Sequence, residues 1–250
     1  MSRFRSEVEK ASRERCSRIV LALDILEPSK DRLYEKALWV MREASENVCC
    51  FKIGIPTVLK LGLSDVSRLV EEAHDMGLPV IMDCKLGDVG HVNRMMAILY
   101  FEAGFDALTV NTLVGFEGGL DSVIEESKKR DRGILPLVYM SHKGAEETFG
   151  QTVLSKDGTA RKMYEVLAER VKRWDIDGVV VGATRPEVIR QVRDIVGPDT
   201  PIYSPGVIFQ GGSLRDALEA GSTYLIVGRA IYLSENPGEE SARLKKILST

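Results

Sequence analysis

Short apolar runs recur along the whole chain, and stretches with helical spacing of apolar residues separate them. Runs of this length that are bounded by polar residues are typical of strands buried on both faces. They predict eight strands: Arg18–Asp24, Val48–Ile55, Leu78–Asp83, Ala107–Asn111, Ile134–Met140, Gly178–Val181, Pro201–Ser204 and Tyr224–Val227. The amphipathic stretches predict helices: Leu33–Ala44, Val66–Met76, Val92–Ala103, Ala160–Trp174, Leu214–Ala220 and Glu239–Leu248.

Eight alternating strand and helix units predict an α/β fold, a closed (β/α)8 TIM barrel in a single domain over residues 18–250. A doubly wound sheet is the alternative, but it usually carries a glycine-rich loop after its first strand. Here that strand ends in Leu21-Ala22-Leu23-Asp24. Residues 1–17 predict an N-terminal helical extension, and Lys143–Gly158 predicts a loop over the active face.

Composition excludes several classes of function. The chain has 250 residues, the usual size of one barrel, and a net charge of −3, which argues against a nucleic-acid scaffold. No apolar stretch reaches the roughly 18 residues of a membrane span, and residues 1–17 lack the apolar core of a signal peptide. We therefore expect a cytoplasmic protein with neither nucleic-acid nor membrane partners.

The spacing of cysteine and histidine gives no sign of a metal site. The sequence contains neither C-x-x-C nor H-E-x-x-H, so no zinc site is predicted. The four cysteines, Cys49 and Cys50 among them, are interpreted as buried free thiols. His74 falls on a polar helix face, where we expect it to be solvated.

The segment Asp83-Cys84-Lys85-Leu86-Gly87-Asp88 carries the strongest chemical signal. Side chains alternate along a strand, so Asp83 and Lys85 should point to the same side, with Asp88 on the loop beyond. Ligands of α/β barrels sit at the carboxyl ends of strands, where two acids and a base form a proton-transfer site. A surface ion pair at a strand end is the alternative interpretation.

Lys52 lies inside an otherwise apolar strand, where an unpaired ammonium group is costly to bury. A carboxylate partner at the barrel mouth, Asp24 or Asp83, explains it better than extension of the side chain to the surface.

The loops after strands 7 and 8 predict a phosphate site, which is where this fold usually binds phosphate. Gly206, Gly211, Gly212 and Gly228 allow backbone amides to approach an anion, and Arg229 offers a bidentate donor. A plain turn at Gly211-Gly212 and a solvated Arg229 are the alternatives.

Taken in order, these motifs resemble the orotidine 5′-monophosphate decarboxylase family from Ile19 to Pro237. Several motifs in the right order are more specific than any one alone. They are Leu21-Ala22-Leu23-Asp24, Phe51-Lys52-Ile53-Gly54-Ile55-Pro56, Asp83-x-Lys85-x-x-Asp88, Ser141-His142-x-Gly144-Ala145, Gly182-Ala183-Thr184-Arg185-Pro186, Pro205-Gly206 with Gln210-Gly211-Gly212, and Val227-Gly228-Arg229-Ala230-Ile231-Tyr232.

The resemblance implies decarboxylation of orotidine 5′-monophosphate to uridine 5′-monophosphate, the last step of de novo pyrimidine nucleotide synthesis, without metal or cofactor. Lys85 would protonate C6, and Asp83 would crowd the substrate carboxylate. Asp24 and Lys52 would hold the ribose and complete an Asp–Lys–Asp–Lys network. Asp88 would reach the neighbouring site of a homodimer.

The remaining implied roles concern the two ends of the substrate. Ser141 would contact the pyrimidine ring. Gln210 and Arg229, with the Gly228 loop, would bind the phosphate.

Three positions depart from the family pattern. Val92 stands where a threonine is usual, Asn111 where histidine is frequent, and Lys143 where proline is common. These changes bear on affinity and on the dimer interface more than on the chemistry.

Two other functions remain open at this point. Sugar-phosphate relatives that use Mg²⁺ share D-x-K-x-x-D but carry an acid at the position of Lys52. The ammonium group of Lys52 would repel the Mg²⁺ ion that these relatives bind. A barrel that binds nucleotides without catalysis is the other alternative, and only turnover separates it from an enzyme.

Overall fold

A closed barrel of eight parallel strands forms the centre of the molecule, which confirms the predicted TIM barrel. The structure, a computed structural model, describes residues 2–154 and 158–249. Around the barrel the strands follow one another in chain order, and the last pairs with the first. Each strand therefore lies beside its sequence neighbours, the arrangement that right-handed βαβ units produce.

The bounds of the elements are as follows. The strands are β1 Ile19–Ala22, β2 Cys50–Gly54, β3 Val80–Leu86, β4 Ala107–Asn111, β5 Gly133–Tyr139, β6 Thr152–Leu154, β7 Ala160–Lys162, β8 Val179–Val181, β9 Ile202–Pro205 and β10 Tyr224–Val227. The helices are α1 Arg3–Glu14, α2 Lys30–Ala44, α3 Ile55–Leu61, α4 Leu63–Asp75, α5 Gly90–Glu102, α6 Asp121–Lys129, α7 Met163–Lys172, α8 Pro186–Val196, α9 Leu214–Glu219, α10 Arg229–Tyr232 and α11 Pro237–Ser249.

Predicted and observed bounds differ by a few residues at several element ends, and two of the differences have a clear structural cause. The third strand continues to Leu86 rather than ending at Asp83, because a bulge carries the polar residues within the strand. The predicted helix at Ala160 begins only at Met163, because β7 pairs with β6 in an antiparallel hairpin. This hairpin occupies part of the predicted Lys143–Gly158 loop, of which residues 155–157 lie outside the described residues.

Helix α1 covers the amino-terminal end of the barrel, opposite the ends at which the strands finish. The ring of Phe4 stacks on Tyr203 with centroids 6.5 Å apart, and a Cβ added to Gly133 would clash with Phe4. Val8 and Ala11 are buried on the same face of the helix. We propose that residues 1–17 are a helical extension that closes this end of a catalytic barrel at residues 18–250.

Three of the four cysteines are buried free thiols, as predicted, but Cys16 is exposed. Among the described residues, no group of three or more His, Cys, Asp or Glu side chains is placed to hold a metal ion. None of the helices within that part of the chain is long and apolar enough to cross a membrane.

His74 is exposed, as expected, but it also has a buried partner. Its Nε2 lies 2.8 Å from Oδ2 of Asp106, a buried carboxylate that also bonds Arg132. This hydrogen bond outweighs partial burial and raises the pKa of His74 above its ordinary value. The helix periodicity showed only the polar face, whereas Asp106 reaches that face from the start of β4.

The raised pKa of His74 predicts a pH-dependent contribution to stability. A raised folded-state pKa stabilises below the unfolded pKa of about 6.5 and is lost as pH rises through the folded value. His74→Gln should therefore lower the free energy of unfolding more at acidic pH than at alkaline pH. The loss at acidic pH should not exceed about 1 kcal/mol, because the site is partly solvated. Urea unfolding at pH 6 and pH 9 measures this, and an equal loss at both values would contradict it.

Candidate active site

A cavity of about 380 Å³ opens at the carboxyl ends of the barrel strands. It brings together eight of the nine residues that the sequence singled out, from six different strand ends or loops. These are Asp24, Lys52, Asp83, Lys85, Ser141, Gln210, Gly228 and Arg229. Asp88 is the exception and does not line the cavity of its own chain.

Four of these side chains form a continuous chain of alternating charge. Nζ of Lys52 lies 3.4 Å from Oδ2 of Asp24 and 2.6 Å from Oδ2 of Asp83. Nζ of Lys85 lies 2.6 Å from the other oxygen, Oδ1, of Asp83. The predicted carboxylate partners of Lys52 are therefore both present, and Asp83 bridges two ammonium groups.

The two central members of this chain are the most buried, because the side chain of Asp24 at one end is 43% exposed. The side chain of Lys52 is 5% exposed and that of Asp83 16%, whereas that of Lys85 is 39% exposed. Lys52 and Asp83 are thus fixed in the barrel wall, while the ammonium group of Lys85 faces the space that a ligand would occupy.

The electrostatics favour the charged form of both buried groups. Burial by itself would raise the pKa of Asp83, but Lys52 and Lys85 outweigh it and hold that pKa well below its ordinary value. Burial likewise disfavours the charged form of Lys52, yet the carboxylates of Asp83 and Asp24 raise its pKa above the ordinary value. The pair is therefore ionised at neutral pH.

A bulge in β3 directs Lys85 into the cavity. Between Met82 and Leu86 the register of β3 against β4 shifts, and Lys85 adopts a left-handed backbone with φ of 48°. Such a conformation is uncommon for residues other than glycine and occurs where surrounding bonds enforce it. Cys84 is buried and does not line the cavity, and its burial raises the pKa of its thiol to about 12.

Two glycines make room for the site. A Cβ on Gly54 would come 2.2 Å from Oδ1 of Asp24, so a side chain there would displace this carboxylate. Gly206 has φ of 93°, and a Cβ there would approach Ser141 to 2.6 Å and Gln210 to 2.8 Å. The sequence shows both glycines but not the residues that crowd them. Those residues lie at other strand ends, which only the folded barrel brings close.

The predicted anion end lies on the far side of the cavity, around β9 and β10. Gln210 projects from the loop after β9, which is folded on itself by hydrogen bonds such as Ile208 N–H to the carbonyl of Gly212 at 2.8 Å. Arg229 begins α10, and its guanidinium lies 4.9 Å from the centre of the Phe209 ring. An exposed guanidinium and the loop amides are thus available to an anion.

Asp88 occupies an exposed loop that a buried asparagine holds in place. The side chain of Asn93, fully buried, accepts a bond from Asp88 N–H at 2.9 Å and donates to the carbonyls of Asp88 and Gly119. The Asp88 carboxylate itself accepts a bond from Val89 N–H at 2.7 Å and faces outward. Its position leaves it available to a neighbouring molecule rather than to its own cavity.

Sequence reasoning missed several lining residues. Thr109, Phe209 and Tyr232 all line the cavity. A threonine inside an apolar strand and an aromatic residue in a glycine-rich loop are weak signals alone, because both residue types are common in β structure. Only the tertiary structure shows that Thr109 in β4, Phe209 in the loop after β9 and Tyr232 in α10 face the same cavity.

This arrangement can hold a positive charge against a reacting carbon and can transfer a proton to it. The ammonium group of Lys85 is fixed before any ligand arrives, so it stabilises developing negative charge without reorganisation. A carboxylate beside it disfavours a second negative charge at the same place. Fold and cavity together define a TIM-barrel protein with a pre-organised lysine–carboxylate pocket.

Comparison with known families agrees with this class. The model of the orotidine 5′-phosphate decarboxylase / HUMPS family matches residues 17–244. The orotidine 5′-phosphate decarboxylase of Methanococcoides burtonii is 36% identical over 231 residues, 92% of this chain and 97% of the relative. That of Pyrococcus furiosus is 35% identical over 226 residues, 90% of this chain and 95% of the relative. The chain therefore belongs to the orotidine 5′-phosphate decarboxylase / HUMPS family.

Solved structures agree in fold. The orotidine 5′-monophosphate decarboxylase of Methanocaldococcus jannaschii, complexed with the inhibitor BMP, has a TM-score of 0.80 and 29% identity, covering 94% of this chain and 99% of that one. The orotidine 5′-phosphate decarboxylase of Pyrococcus horikoshii has a TM-score of 0.76 and 33% identity, covering 93% and 99%.

Removal of the central carboxylate should destabilise the protein. Asp83→Asn leaves the buried Lys52 with one carboxylate partner, the half-exposed Asp24 at 3.4 Å, so the free energy of unfolding at pH 7 should fall by about 3 kcal/mol. Because the folded-state pKa of Asp83 is depressed, its stabilisation is present above the unfolded pKa and is lost as pH falls. The difference between the two proteins should therefore shrink below about pH 4.

Denaturant titrations at pH 7 and pH 3.5 measure this difference. Asp175→Asn is a matched control, because Asp175 pairs with Lys128 at 3.4 Å in a solvent-exposed position. Its loss should stay within about 0.5 kcal/mol. A loss for Asp83→Asn no greater than that of the control would contradict the buried-pair argument.

Proposed function

We propose that this protein is an orotidine 5′-phosphate decarboxylase, which converts orotidine 5′-monophosphate to uridine 5′-monophosphate and CO₂ in pyrimidine nucleotide synthesis. The observation that carries the proposal is the Asp24–Lys52–Asp83–Lys85 chain in a cavity whose other end presents Gln210 and Arg229. The named relatives support the substrate, because those reported above are all decarboxylases of this nucleotide.

The reaction asks the pocket to stabilise a carbanion. The bond between C6 and the carboxylate breaks, the electron pair stays on C6, and a proton from Nζ of Lys85 then forms the new C–H bond. The pre-organised ammonium lowers the energy of the carbanion through electrostatics. Asp83 lies where the substrate carboxylate would approach, so it disfavours the bound ground state while it keeps Lys85 oriented.

The other residues bind the parts of the substrate that do not react. Asp24 and Lys52 hold the ribose hydroxyls, Ser141 contacts the pyrimidine, and Gln210, Arg229 and the Gly228 backbone bind the phosphate. Binding energy from the distant phosphate supports catalysis at C6, because it fixes the pyrimidine against Lys85.

No metal or cofactor takes part in the proposed reaction. The ammonium group of Lys52, bonded to both neighbouring carboxylates, occupies the place where a divalent cation would need oxygen ligands. This contrasts with the Mg²⁺-dependent sugar-phosphate relatives, which carry an acid at that position.

The proposed working unit is a cytoplasmic homodimer in which Asp88 completes the neighbouring site near the ribose. Asp88 faces outward on a loop that Asn93 holds rigidly. Nearby apolar side chains are exposed and would be covered by a second copy: Val89, Met95, Leu99, Leu113 and Val114. Val92, in place of the family threonine, brings no hydroxyl to that interface.

Loss of the ultraviolet absorbance of orotidine monophosphate on addition of the purified protein tests the function. We expect rapid loss that excess EDTA leaves unchanged. No turnover, with tight binding of uridine monophosphate, would instead indicate a barrel that binds nucleotides without catalysis. Turnover of a sugar phosphate that requires Mg²⁺, with none of the nucleotide, would assign the chain to the other relatives.

Lys85→Ala should reduce kcat by at least ~10⁴-fold, because it removes both the proton donor and the fixed charge. The fold should persist, since the Lys85 ammonium is partly exposed and Asp83 keeps Lys52 as a partner. The same absorbance assay measures kcat, and circular dichroism checks the fold. Lys10→Ala, on α1 at the opposite end of the barrel, is the control and should keep full activity. Comparable loss in both variants, or substantial activity in Lys85→Ala, would refute the assignment.

Mixing inactive chains tests the shared site. If Asp88 acts across the interface, then combining Lys85→Ala with Asp88→Ala chains gives heterodimers with one intact site, so about a quarter of all sites should regain activity. Subunit exchange is verified with differently tagged chains. Heterodimers that form but stay inactive would rule out the contribution of Asp88 in trans.

A further inference from the structure

Thr109 on β4 joins the two groups at the centre of the pocket. Its Oγ1 accepts a hydrogen bond from the Lys85 backbone N–H at 2.9 Å and donates one to Oδ1 of Asp83 at 2.9 Å. The residue is buried, with 2% exposure, and lines the cavity. One hydroxyl therefore contacts both the backbone of the lysine and the carboxylate that binds its ammonium group.

The bulge in β3 explains why a side chain is needed there. Met82 pairs with Leu108 and Leu86 with Val110, so extra residues of β3 face a single position of β4. Lys85 lies within this bulge, and its N–H bonds the Thr109 hydroxyl rather than a backbone carbonyl. Without that hydroxyl a partly buried N–H would lose its partner, which is costly.

The bonds close a ring around Lys85. The backbone N–H of Lys85 donates to Oγ1 of Thr109, Oγ1 donates to Oδ1 of Asp83, and Nζ of Lys85 donates to the same oxygen at 2.6 Å. Both ends of the lysine are thereby tied to one carboxylate oxygen. The left-handed backbone of Lys85, with φ of 48°, is strained for a residue with a side chain and needs such bonds to persist.

We propose that Thr109 is a positioning residue for the decarboxylation, which holds the backbone of Lys85 and the carboxylate of Asp83 so that the ammonium group meets C6. This inference rests on the proposed function for its kinetic consequence, but not for its structural one. Thr109 touches no reacting atom in this role and acts through Lys85 and Asp83. Misplacement of a catalytic group by about 1 Å can cost roughly 100-fold in rate.

Substitution by the isosteric valine tests the role of the hydroxyl. For Thr109→Val we expect kcat for orotidine monophosphate to fall about 10- to 100-fold while KM and the affinity for uridine monophosphate change by less than about threefold. Thr109→Ser keeps the hydroxyl and should recover most of the lost kcat. An unchanged kcat in the valine variant, or a serine variant as slow as the valine one, would overturn the proposal.

A matched control separates positioning from simple loss of stability. Thr112, three residues further along, is equally buried, and its hydroxyl bonds the carbonyl of Leu137, but it does not line the cavity. Thr112→Val should lose comparable stability and keep its kcat. If kcat fell equally in both valine variants, the Thr109 effect would be structural and the proposal wrong.

Amide hydrogen exchange distinguishes failure of this inference from failure of the proposed function. In the absence of any substrate, the Lys85 amide should be protected in the wild type and should exchange at least about tenfold faster in Thr109→Val than in Thr112→Val. Equal protection in the two variants would refute the positioning bond. Inactivity of the wild type toward orotidine monophosphate would instead refute the proposed function and leave the exchange result standing.

Discussion

The ion pair between Lys52 and Asp83 is the constraint around which the pocket is arranged. Two charges in the barrel wall are costly to desolvate, and they persist only because each has further partners at short distance. Asp24 approaches Lys52 from the segment after β1, and Lys85 contacts Asp83 from two residues further along β3. The alternating chain that results places an ammonium group at the edge of the open cavity without leaving an unpaired buried charge.

This arrangement couples stability to chemistry. A pocket built from buried charges is less stable than an apolar one of the same shape, yet it presents its field before the substrate arrives. The apolar core of the barrel offsets this loss of stability. Its strands β1, β2 and β5 are buried along their whole length. The helix α1 adds further apolar burial at the opposite end, far from the charged groups.

The bulge in β3 and its contact with Thr109 on β4 show how an irregular strand can position the side chains of a site. A regular strand would pair each backbone group of β3 with β4 and would direct Lys85 by simple alternation. Where the register shifts, the Lys85 backbone N–H donates to the hydroxyl of Thr109 rather than to a backbone carbonyl. The same hydroxyl donates to Asp83 and so orients its carboxylate. The loop after β9 has a comparable irregularity, since Ile208, two residues before Gln210, adopts a left-handed backbone with φ of 64°.

The sequence by itself determined the eight-unit barrel, because the apolar runs and their spacing report burial directly. It also determined the residues at the strand ends, because charged groups at the close of apolar strands have few structural explanations. Lys52 was interpretable for this reason, and so was Asp83. The tertiary structure decided which groups meet. His74 finds Asp106 only across two elements, the hairpin of β6 and β7 replaces the first turn of a predicted helix, and Thr109 reaches Lys85 only through a register shift. These contacts join residues that are distant along the chain, and local propensity holds no information about such pairings.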